Sequence, residues 1–231
     1  MKRILLWSSV LCMLVSGATT ICAEGIDAGP PHIRRALPTA DVIIDAGHGG
    51  IDGGTHWNDI MEKDINLAIA RKLYMLLRSK GIIAVLNRTG DYALSDENRW
   101  HLSRSRHRRD LSQRKGLAQE INASLFISIH VNWSPRGHNQ GPLVIHQAEG
   151  SSALLAALIQ SSLNQQQNKH RLPQVAKQFY LLNQVELPSV IIETAFLSDP
   201  DDRAMLTSLR GQTRIAEAIA QGIMAYRWIS P

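Results

Sequence analysis

Six short apolar runs along the chain have the length and composition of buried strands. Each run is four to eight residues long and is rich in Val, Ile, Leu or Phe, which favours a strand over a helix. The first run is bounded by glycines, and the last is apolar up to Glu193. The predicted strands are residues 42–46, 82–86, 124–131, 143–146, 179–182 and 189–194.

Between these runs, apolar residues recur at helical spacing. They repeat every three or four positions over residues 62–80, which predicts one long amphipathic helix, and Gly81 suits the left-handed position that ends a helix. Asp199 and Pro200 form a pair typical of a helix start. Further helices are predicted over residues 111–121, 152–163 and 215–228.

The alternation of strands and helices predicts a single α/β domain. Its sheet is expected to be mostly parallel, to contain about six strands and to be flanked by helices. The chain of 231 residues is long enough for one domain with a substantial core. Because ligands of such sheets bind beyond the carboxyl ends of the strands, polar residues that directly follow a strand are the first candidates for function.

The amino terminus has the pattern of a secretory signal peptide. Lys2 and Arg3 precede an apolar run over residues 4–15, and small residues follow. The run is short for a membrane span, although an uncleaved anchor is the alternative. We therefore predict a signal peptide over residues 1–23 and export across the cytoplasmic membrane to the cell envelope.

The remaining chain divides into a linker and a domain. Residues 24–40 contain several glycines and prolines and no periodic pattern, which predicts a linker. Residues 41–231 form the predicted folded domain. Both cysteines, Cys12 and Cys22, precede the linker, so cleavage of the signal peptide would leave a domain without disulfides.

The charge balance is mildly basic. The chain has 25 Lys and Arg against 20 Asp and Glu, an excess that suits an acidic polymer such as a cell envelope and is too small to indicate nucleic acid. Many of the basic residues lie in one stretch, residues 99–115. This stretch is either a solvated loop that runs into a helix or a surface that attracts an anionic polymer or a partner protein.

Four side chains suited to metal binding or proton transfer stand at strand ends or at a helix start. His48 follows the first strand within a glycine-rich turn, His130 closes the third strand, Glu193 lies in the last strand, and Glu62 opens the first helix. Two imidazoles and two carboxylates are the groups of a hydrolytic zinc site, in which three residues bind the metal and a further carboxylate takes a proton.

Each of these residues also has a structural explanation. His48 could cap its loop, and the surrounding glycines could cradle a phosphate, although no Lys-Ser/Thr pair follows as in a P-loop. Glu62 is favoured at a helix start by the helix dipole whatever its function. His130 could be a hydrogen-bonded core residue. Glu193 is harder to explain in this way, because a buried carboxylate without a partner is costly.

The chain has no His-Glu-x-x-His helix, which excludes a zinc protease of that type. Other histidines could replace the proposed ligands, but we expect them to lie on the surface or to support the site. They are His56, His101, His107, His138 and His146.

Four motifs in order resemble the zinc-dependent N-acetylmuramoyl-L-alanine amidases of the Amidase_3 family. They are DAGHGG at residues 45–50, EKDINL at 62–67, SIHVN at 128–132 and IETAFLS at 192–198. The resemblance implies a six-stranded α/β fold and hydrolysis of the amide between N-acetylmuramic acid and L-alanine in peptidoglycan. It also implies one Zn²⁺ bound by His48, Glu62 and His130, Glu193 as the catalytic residue, and Asn132 as a residue that lines the substrate cleft.

The signal sequence and the segment around residues 96–111 are similar to the germination-specific amidases of spore-forming bacteria. This similarity implies action on spore cortex, as the first step towards muramic-δ-lactam, and leaves vegetative wall as the alternative target. An activating lipoprotein or another partner protein is a further possibility. Two other functions stay open: a non-catalytic peptidoglycan-binding protein, and a zinc peptidase that acts within the stem peptide.

Overall fold

The computed structural model describes residues 39–96, 103–135, 139–177 and 179–230. The strands are Ala40–Ala46 (β1), His56–Trp57 (β2), Ile60–Met61 (β3), Ala84–Leu86 (β4), Ala123–Asn132 (β5), Leu143–His146 (β6), Gln174–Val175 (β7) and Ser189–Phe196 (β8). The helices are Glu62–Ser79 (α1), Arg106–Glu120 (α2), Gly150–Gln167 (α3), Tyr180–Gln184 (α4), Pro200–Thr207 (α5) and Leu209–Ile229 (α6). The predicted signal peptide, residues 1–23, and nearly all of the predicted linker lie outside the described residues and stay predictions.

Six strands form one sheet in the order β4-β1-β5-β8-β6-β7. All neighbouring pairs are parallel except β6 and β8, which confirms the predicted α/β fold with a mostly parallel six-stranded sheet. The short strands β2 and β3 form a separate antiparallel hairpin that leads into α1. Because β1, β5 and β8 are adjacent and parallel, their carboxyl ends meet at one edge of the sheet.

Helices cover both faces of the sheet. Side chains such as Ile44, Ile127 and Ile192 are buried with α1, α3, α5 and α6, whereas Ile43 and Phe126 are buried with α2 and α4. The alternation along each strand thus gives the sheet an α1 face and an α2 face. Within the described ranges, no helix has the length and apolar character needed to cross a bilayer.

One strand prediction is wrong. Residues 179–182 were predicted as a strand but begin the helix α4, and the sixth strand of the sheet is β7 instead. A four-residue apolar run has too little periodicity to separate helix from strand, and here Leu181 and Leu182 are buried from a helical turn. The two residues of β7 are exposed and carry no apolar pattern, so local sequence does not identify them.

The two predicted helix-end signals are confirmed, whereas α2 and α6 begin five and six residues earlier than predicted. Asp199 Oδ1 accepts hydrogen bonds from the backbone N–H groups of Asp201 and Asp202, as an N-cap residue does. Gly81 has a φ of +76° just beyond α1.

Candidate metal centre and active site

His48 lies in a tight turn just after β1. His48, Gly49 and Gly50 all have positive φ, at 60°, 138° and 57°. Two backbone hydrogen bonds between Gly49 and Asp52, with N···O distances of 2.9 and 3.1 Å, close the turn. Gly49 and Gly50 adopt this left-handed backbone directly after His48 without the steric cost of a Cβ atom, so the turn holds the imidazole at the edge of the sheet.

Gly47 allows two segments of the site to approach closely. A Cβ atom at this position would overlap the imidazole ring of His130 on β5. The rings of His48 and His130 meet edge to face, with centroids 5.0 Å apart. A side chain at residue 47 would therefore displace His130 from the site.

His48, Glu62 and His130 converge on one point. Glu62 Oε1 lies 3.2 Å from His48 Nε2 and 2.9 Å from His130 Nδ1. One ligand atom from each residue lies within 4.8 Å of the others. Two imidazole nitrogens and one carboxylate oxygen are a donor set that zinc accepts, and three protein donors leave one tetrahedral position for water or substrate. These residues could therefore hold a catalytic metal ion.

Hydrogen bonds hold the Glu62 carboxylate in place. Its Oε2 accepts the backbone N–H of Thr55 at 2.8 Å, and its Oε1 accepts the backbone N–H of Val131 at 3.0 Å. The Asn66 side-chain amide donates to Oε1 at 3.2 Å, one helical turn along α1. The carboxylate is thus fixed before any metal binds.

Asp52 orients His48. Asp52 Oδ2 lies 3.2 Å from His48 Nδ1, which leaves Nε2 to face Glu62. A carboxylate on the far nitrogen of a histidine sets the tautomer and raises the basicity of the ligand nitrogen. The sequence interpretation missed Asp52, although an acid four residues after a candidate ligand was a signal that could have found it.

The neighbouring groups shift the pKa values of Glu62 and His48. Burial acts to raise the pKa of Glu62, but hydrogen bonds and charge from His130 and His48 outweigh it, so the pKa lies well below its usual range. Burial acts to lower the pKa of His48, yet Glu62 and Asp52 raise it to about 8. Glu62 is therefore ionised at neutral pH and suited to bind a cation.

Glu193 lies beside this cluster in a different environment. It is the register partner of His130 on the neighbouring strand, so both side chains point to the α2 face. Burial raises the pKa of Glu193 to about 7. Its Oε2 atom is buried and has no hydrogen-bond partner among the described residues. A carboxyl group that titrates near neutral pH and keeps a free oxygen is suited to accept and return a proton.

A cavity of about 280 Å³ opens onto these side chains from the α2 face. Its walls come from β1, α2, β5, α4 and β8. Its lining combines polar groups, among them His48, His130 and Glu193, with apolar groups from α2 and α4 such as Leu111 and Leu181. The cavity therefore joins the candidate metal centre to an apolar surface.

Asn132 lies at the end of β5, where its Oδ1 accepts the backbone N–H of Trp133 at 2.8 Å. Its predicted role in substrate binding stays a prediction.

Among the other histidines, His107 lines the cavity, His56 is exposed on β2, and His146 is buried at the end of β6. Predictions for His101 and His138 fall outside the described residues.

A buried charge network supports the site and was not predicted. Arg114 of α2 pairs with Asp45 of β1 and with Asp110, and Ser128 of β5 donates its hydroxyl to Asp45. Arg114 also donates to the carbonyl oxygen of His48 at 2.9 Å. Arg114 was predicted as part of a basic surface or solvated stretch, and this is wrong for Arg114 because its guanidinium is enclosed by the two carboxylates.

A second buried arginine, Arg88, holds the same turn from the side of β4. It is 1% exposed and donates to the carbonyl oxygens of Ala46, Gly47 and Lys63 at 3.0, 3.1 and 2.7 Å. Two arginines thus satisfy the carbonyl groups where the chain leaves β1. Contacts across more than 20 residues have no local sequence signal, which is why neither role was found.

Comparison with known proteins identifies similar enzymes. Residues 42–225 match the Amidase_3 family, described as N-acetylmuramoyl-L-alanine amidase. The germination-specific N-acetylmuramoyl-L-alanine amidase of Bacillus subtilis (strain 168) is 32% identical over 195 residues, which cover 83% of this chain and 82% of that protein.

Two solved structures share the fold. The CwlD amidase from Clostridioides difficile, in complex with the GerS lipoprotein, is 34% identical with a TM-score of 0.77 and covers 83% of this chain and 100% of that chain. An N-acetylmuramoyl-L-alanine amidase from Clostridium difficile 630 is 30% identical with a TM-score of 0.71, at 84% and 99% coverage.

Proposed function

This chain belongs to the N-acetylmuramoyl-L-alanine amidase family, and from that premise we propose that it is an exported zinc enzyme that acts on spore cortex. Its activity as a family member is hydrolysis of the amide between N-acetylmuramic acid and L-alanine in peptidoglycan. The zinc ion, the roles of individual residues, the site of action and the partner are the proposed parts.

One observation carries the zinc assignment. His48, Glu62 and His130 come from three distant parts of the chain, and their ligand atoms lie within 4.8 Å of one another. Glu193 stands next to His130, and its Oε2 atom has no hydrogen-bond partner within the part of the chain that the structure describes. Three donors beside one free carboxylate form the arrangement that metal-assisted hydrolysis requires.

The two carboxylates of the site take different roles. Bound zinc would polarise the scissile carbonyl and lower the pKa of a water molecule. Glu62 serves as a ligand, because two backbone N–H groups fix it and two histidines keep it ionised. Glu193 takes the proton of the attacking water and passes it to the leaving nitrogen of L-alanine. Environments that separate the pKa values of two acids in this way support these two roles.

A spore-cortex substrate is proposed from similarity. The similar Bacillus subtilis protein is germination-specific. Its alignment with this chain, at 32% identity, covers 83% of the chain. We infer that the chain removes stem peptides from muramic acid in cortex, which prepares the sugar for muramic-δ-lactam formation. The amino-terminal signal over residues 1–23 would export the enzyme to this compartment.

A partner protein is proposed on the same basis. The similar CwlD structure is a complex with the GerS lipoprotein. We propose that a lipoprotein or comparable envelope protein also binds this chain. A measurable consequence is that zinc retention by the isolated chain would increase when the partner is added.

Mass spectrometry of digested peptidoglycan tests the function directly. The amidase releases intact stem peptides and leaves muramic acid with a free lactyl carboxyl group. A zinc peptidase would shorten the peptides instead, and a non-catalytic binding protein would leave the material unchanged. Either of these last two results would refute the proposal.

Elemental analysis tests the zinc ligands. We expect His48→Ala and His130→Ala to lose bound zinc relative to the native enzyme. Exposed His56 offers a matched control, and His56→Ala should keep the native stoichiometry. Native zinc content in both ligand variants would show that the metal binds elsewhere.

A further inference from the structure

An exposed pair of tryptophans lies near the candidate metal centre. Trp57 is in β2, and Trp133 directly follows β5. Their ring centroids are 6.1 Å apart and their planes are inclined by 37°. The two residues are 38% and 41% exposed. Because tryptophan usually buries most of its large apolar surface, a pair of rings left in contact with solvent indicates a binding surface.

Both tryptophans are attached to segments that carry proposed zinc ligands. Trp57 belongs to the hairpin that directly precedes Glu62, and Glu62 Oε2 accepts the N–H of Thr55, two residues before Trp57. Trp133 follows His130 by three residues, just beyond the end of β5. Trp57 contacts Arg203 of α5, a helix whose Leu206 is buried on the α1 face, so the pair lies on that face. The tryptophan pair and the cavity therefore flank the metal centre from opposite faces of the sheet.

Arg203 of α5 holds Trp57 in position within the pair formed by Trp57 and Trp133, here called the platform. Its guanidinium carbon lies 4.1 Å from the centroid of the Trp57 ring, a cation–π contact. The same guanidinium donates to the carbonyl oxygens of Leu197 and Ser198 at 2.9 and 3.4 Å. A ring that is already fixed loses little conformational entropy when a ligand binds.

The scissile bond determines what the two flanking surfaces must bind. It joins a sugar to a peptide, so one surface meets the glycan and the other meets the stem peptide. A glycan strand continues in both directions past each muramic acid and needs an open surface, whereas a stem peptide is a short branch that suits the cavity of about 280 Å³. Pyranose rings also present flat C–H faces, which pack against aromatic rings while their hydroxyl groups stay in water.

We propose that Trp57 and Trp133 form a subsite for the glycan strand, in which a pyranose ring next to the cleaved muramic acid packs on the exposed aromatic surface. The inference rests on the proposed function, because it takes peptidoglycan as the substrate. It adds that recognition of the polymer occurs on the α1 face and recognition of the peptide on the α2 face.

Binding of peptide-free glycan strands tests the subsite without turnover. Isothermal titration calorimetry is performed with a Glu193→Gln background, into which Trp57→Ala or Trp133→Ala is introduced. Each substitution should weaken binding by about tenfold, the size of one aromatic stacking contact. Trp57→Phe and Trp133→Phe should retain most of the affinity, because they keep an aromatic face. Trp228→Ala is the matched control, since Trp228 is 87% exposed on α6.

Steady-state kinetics on the native background form the second arm. The alanine variants should raise KM for polymeric peptidoglycan by about tenfold and leave kcat near the native value. Unchanged glycan affinity in both alanine variants, with native melting temperatures, would overturn the proposal. An equal loss in Trp228→Ala would overturn it as well.

Failure of this proposal is separable from failure of the proposed function. If the native enzyme releases no stem peptide, the amidase function is refuted, yet the calorimetric result with glycan alone still decides whether the platform binds sugar. If the native enzyme is active and the variants bind glycan normally, only the platform is refuted.

Discussion

Glu62 and Glu193 have the same carboxyl group, but the groups that surround it differ and shift its pKa in opposite directions. The Glu62 carboxylate accepts hydrogen bonds from two backbone N–H groups and contacts two imidazoles, which keep it ionised. The buried Oε2 atom of Glu193 has no hydrogen-bond partner among the residues described, and burial raises the pKa of Glu193 to about 7. The first is therefore prepared to bind a cation and the second to carry a proton.

Glu193→Gln should separate catalysis from metal binding. The amide keeps the size of the side chain but cannot take a proton, so activity should fall by about 10²–10⁴-fold with normal zinc content and folding. Amidase assays with elemental analysis measure both. Glu186→Gln, at an exposed position before β8, should behave as the native enzyme. Near-native turnover of Glu193→Gln would remove this residue from the mechanism.

Asp52→Asn should weaken zinc binding although Asp52 is not a proposed ligand. The amide removes the negative charge next to His48 Nδ1 and so lowers the basicity of the ligand nitrogen, which typically reduces metal affinity by about 10–100-fold. Competition with a chromophoric chelator measures the dissociation constant. The exposed Asp59→Asn serves as the control, and equal affinity in the two variants would contradict this role.

At the scale of elements, a buried charge network ties α2 to β1. Arg114 lies between Asp45 and Asp110 and reaches the carbonyl oxygen of His48. Burial acts to lower the pKa of Arg114, but the two carboxylates outweigh it and raise the pKa. The helix that forms one wall of the cavity is thus fixed to β1 and to the turn that carries His48.

Arg114→Met should destabilise the fold strongly. The substitution leaves two carboxylates buried without their cation, and such losses cost about 3–5 kcal/mol. Urea unfolding followed by circular dichroism gives the change in the free energy of unfolding. Arg108→Met, on the exposed side of the same helix, should alter it by less than about 0.5 kcal/mol. A comparably small change in Arg114→Met would show that the network does not stabilise the fold.

At the scale of the whole molecule, a metal ion would cross-link segments that are far apart in the chain. The three proposed ligands stand on the turn after β1, at the start of α1 and on β5. An ion that binds only the folded state adds its binding free energy to the stability of the domain.

Removal of zinc should therefore lower the melting temperature. At a free zinc concentration 100-fold above its dissociation constant, stabilisation is about 2.7 kcal/mol, which corresponds to a shift on the order of 5–10 °C for a domain of this size. Differential scanning calorimetry with and without a chelator measures it. His130→Ala should show a much smaller shift, and a full shift in that variant would place the stabilising ion elsewhere.

The sequence by itself determined the fold class and pointed to the four central residues of the site. Hydrophobic periodicity is a local property, so the main strands and helices could be predicted from it, and the parallel arrangement followed from their alternation. His48, His130 and Glu193 could be selected because each is a polar residue at or near the end of an apolar strand, and Glu62 because it begins a helix.

Only the tertiary structure decided what surrounds those residues. Arg114 and Asp45 are 69 positions apart in the chain, and Trp57 and Trp133 are 76 positions apart. The local sequence pattern does not predict contacts at such separations. The same is true of β7, which is a strand because β6 lies beside it and not because its residues favour one. The sequence determined where side chains could act, whereas packing of distant segments decided which of them meet, which are buried, and on which face of the sheet each one works.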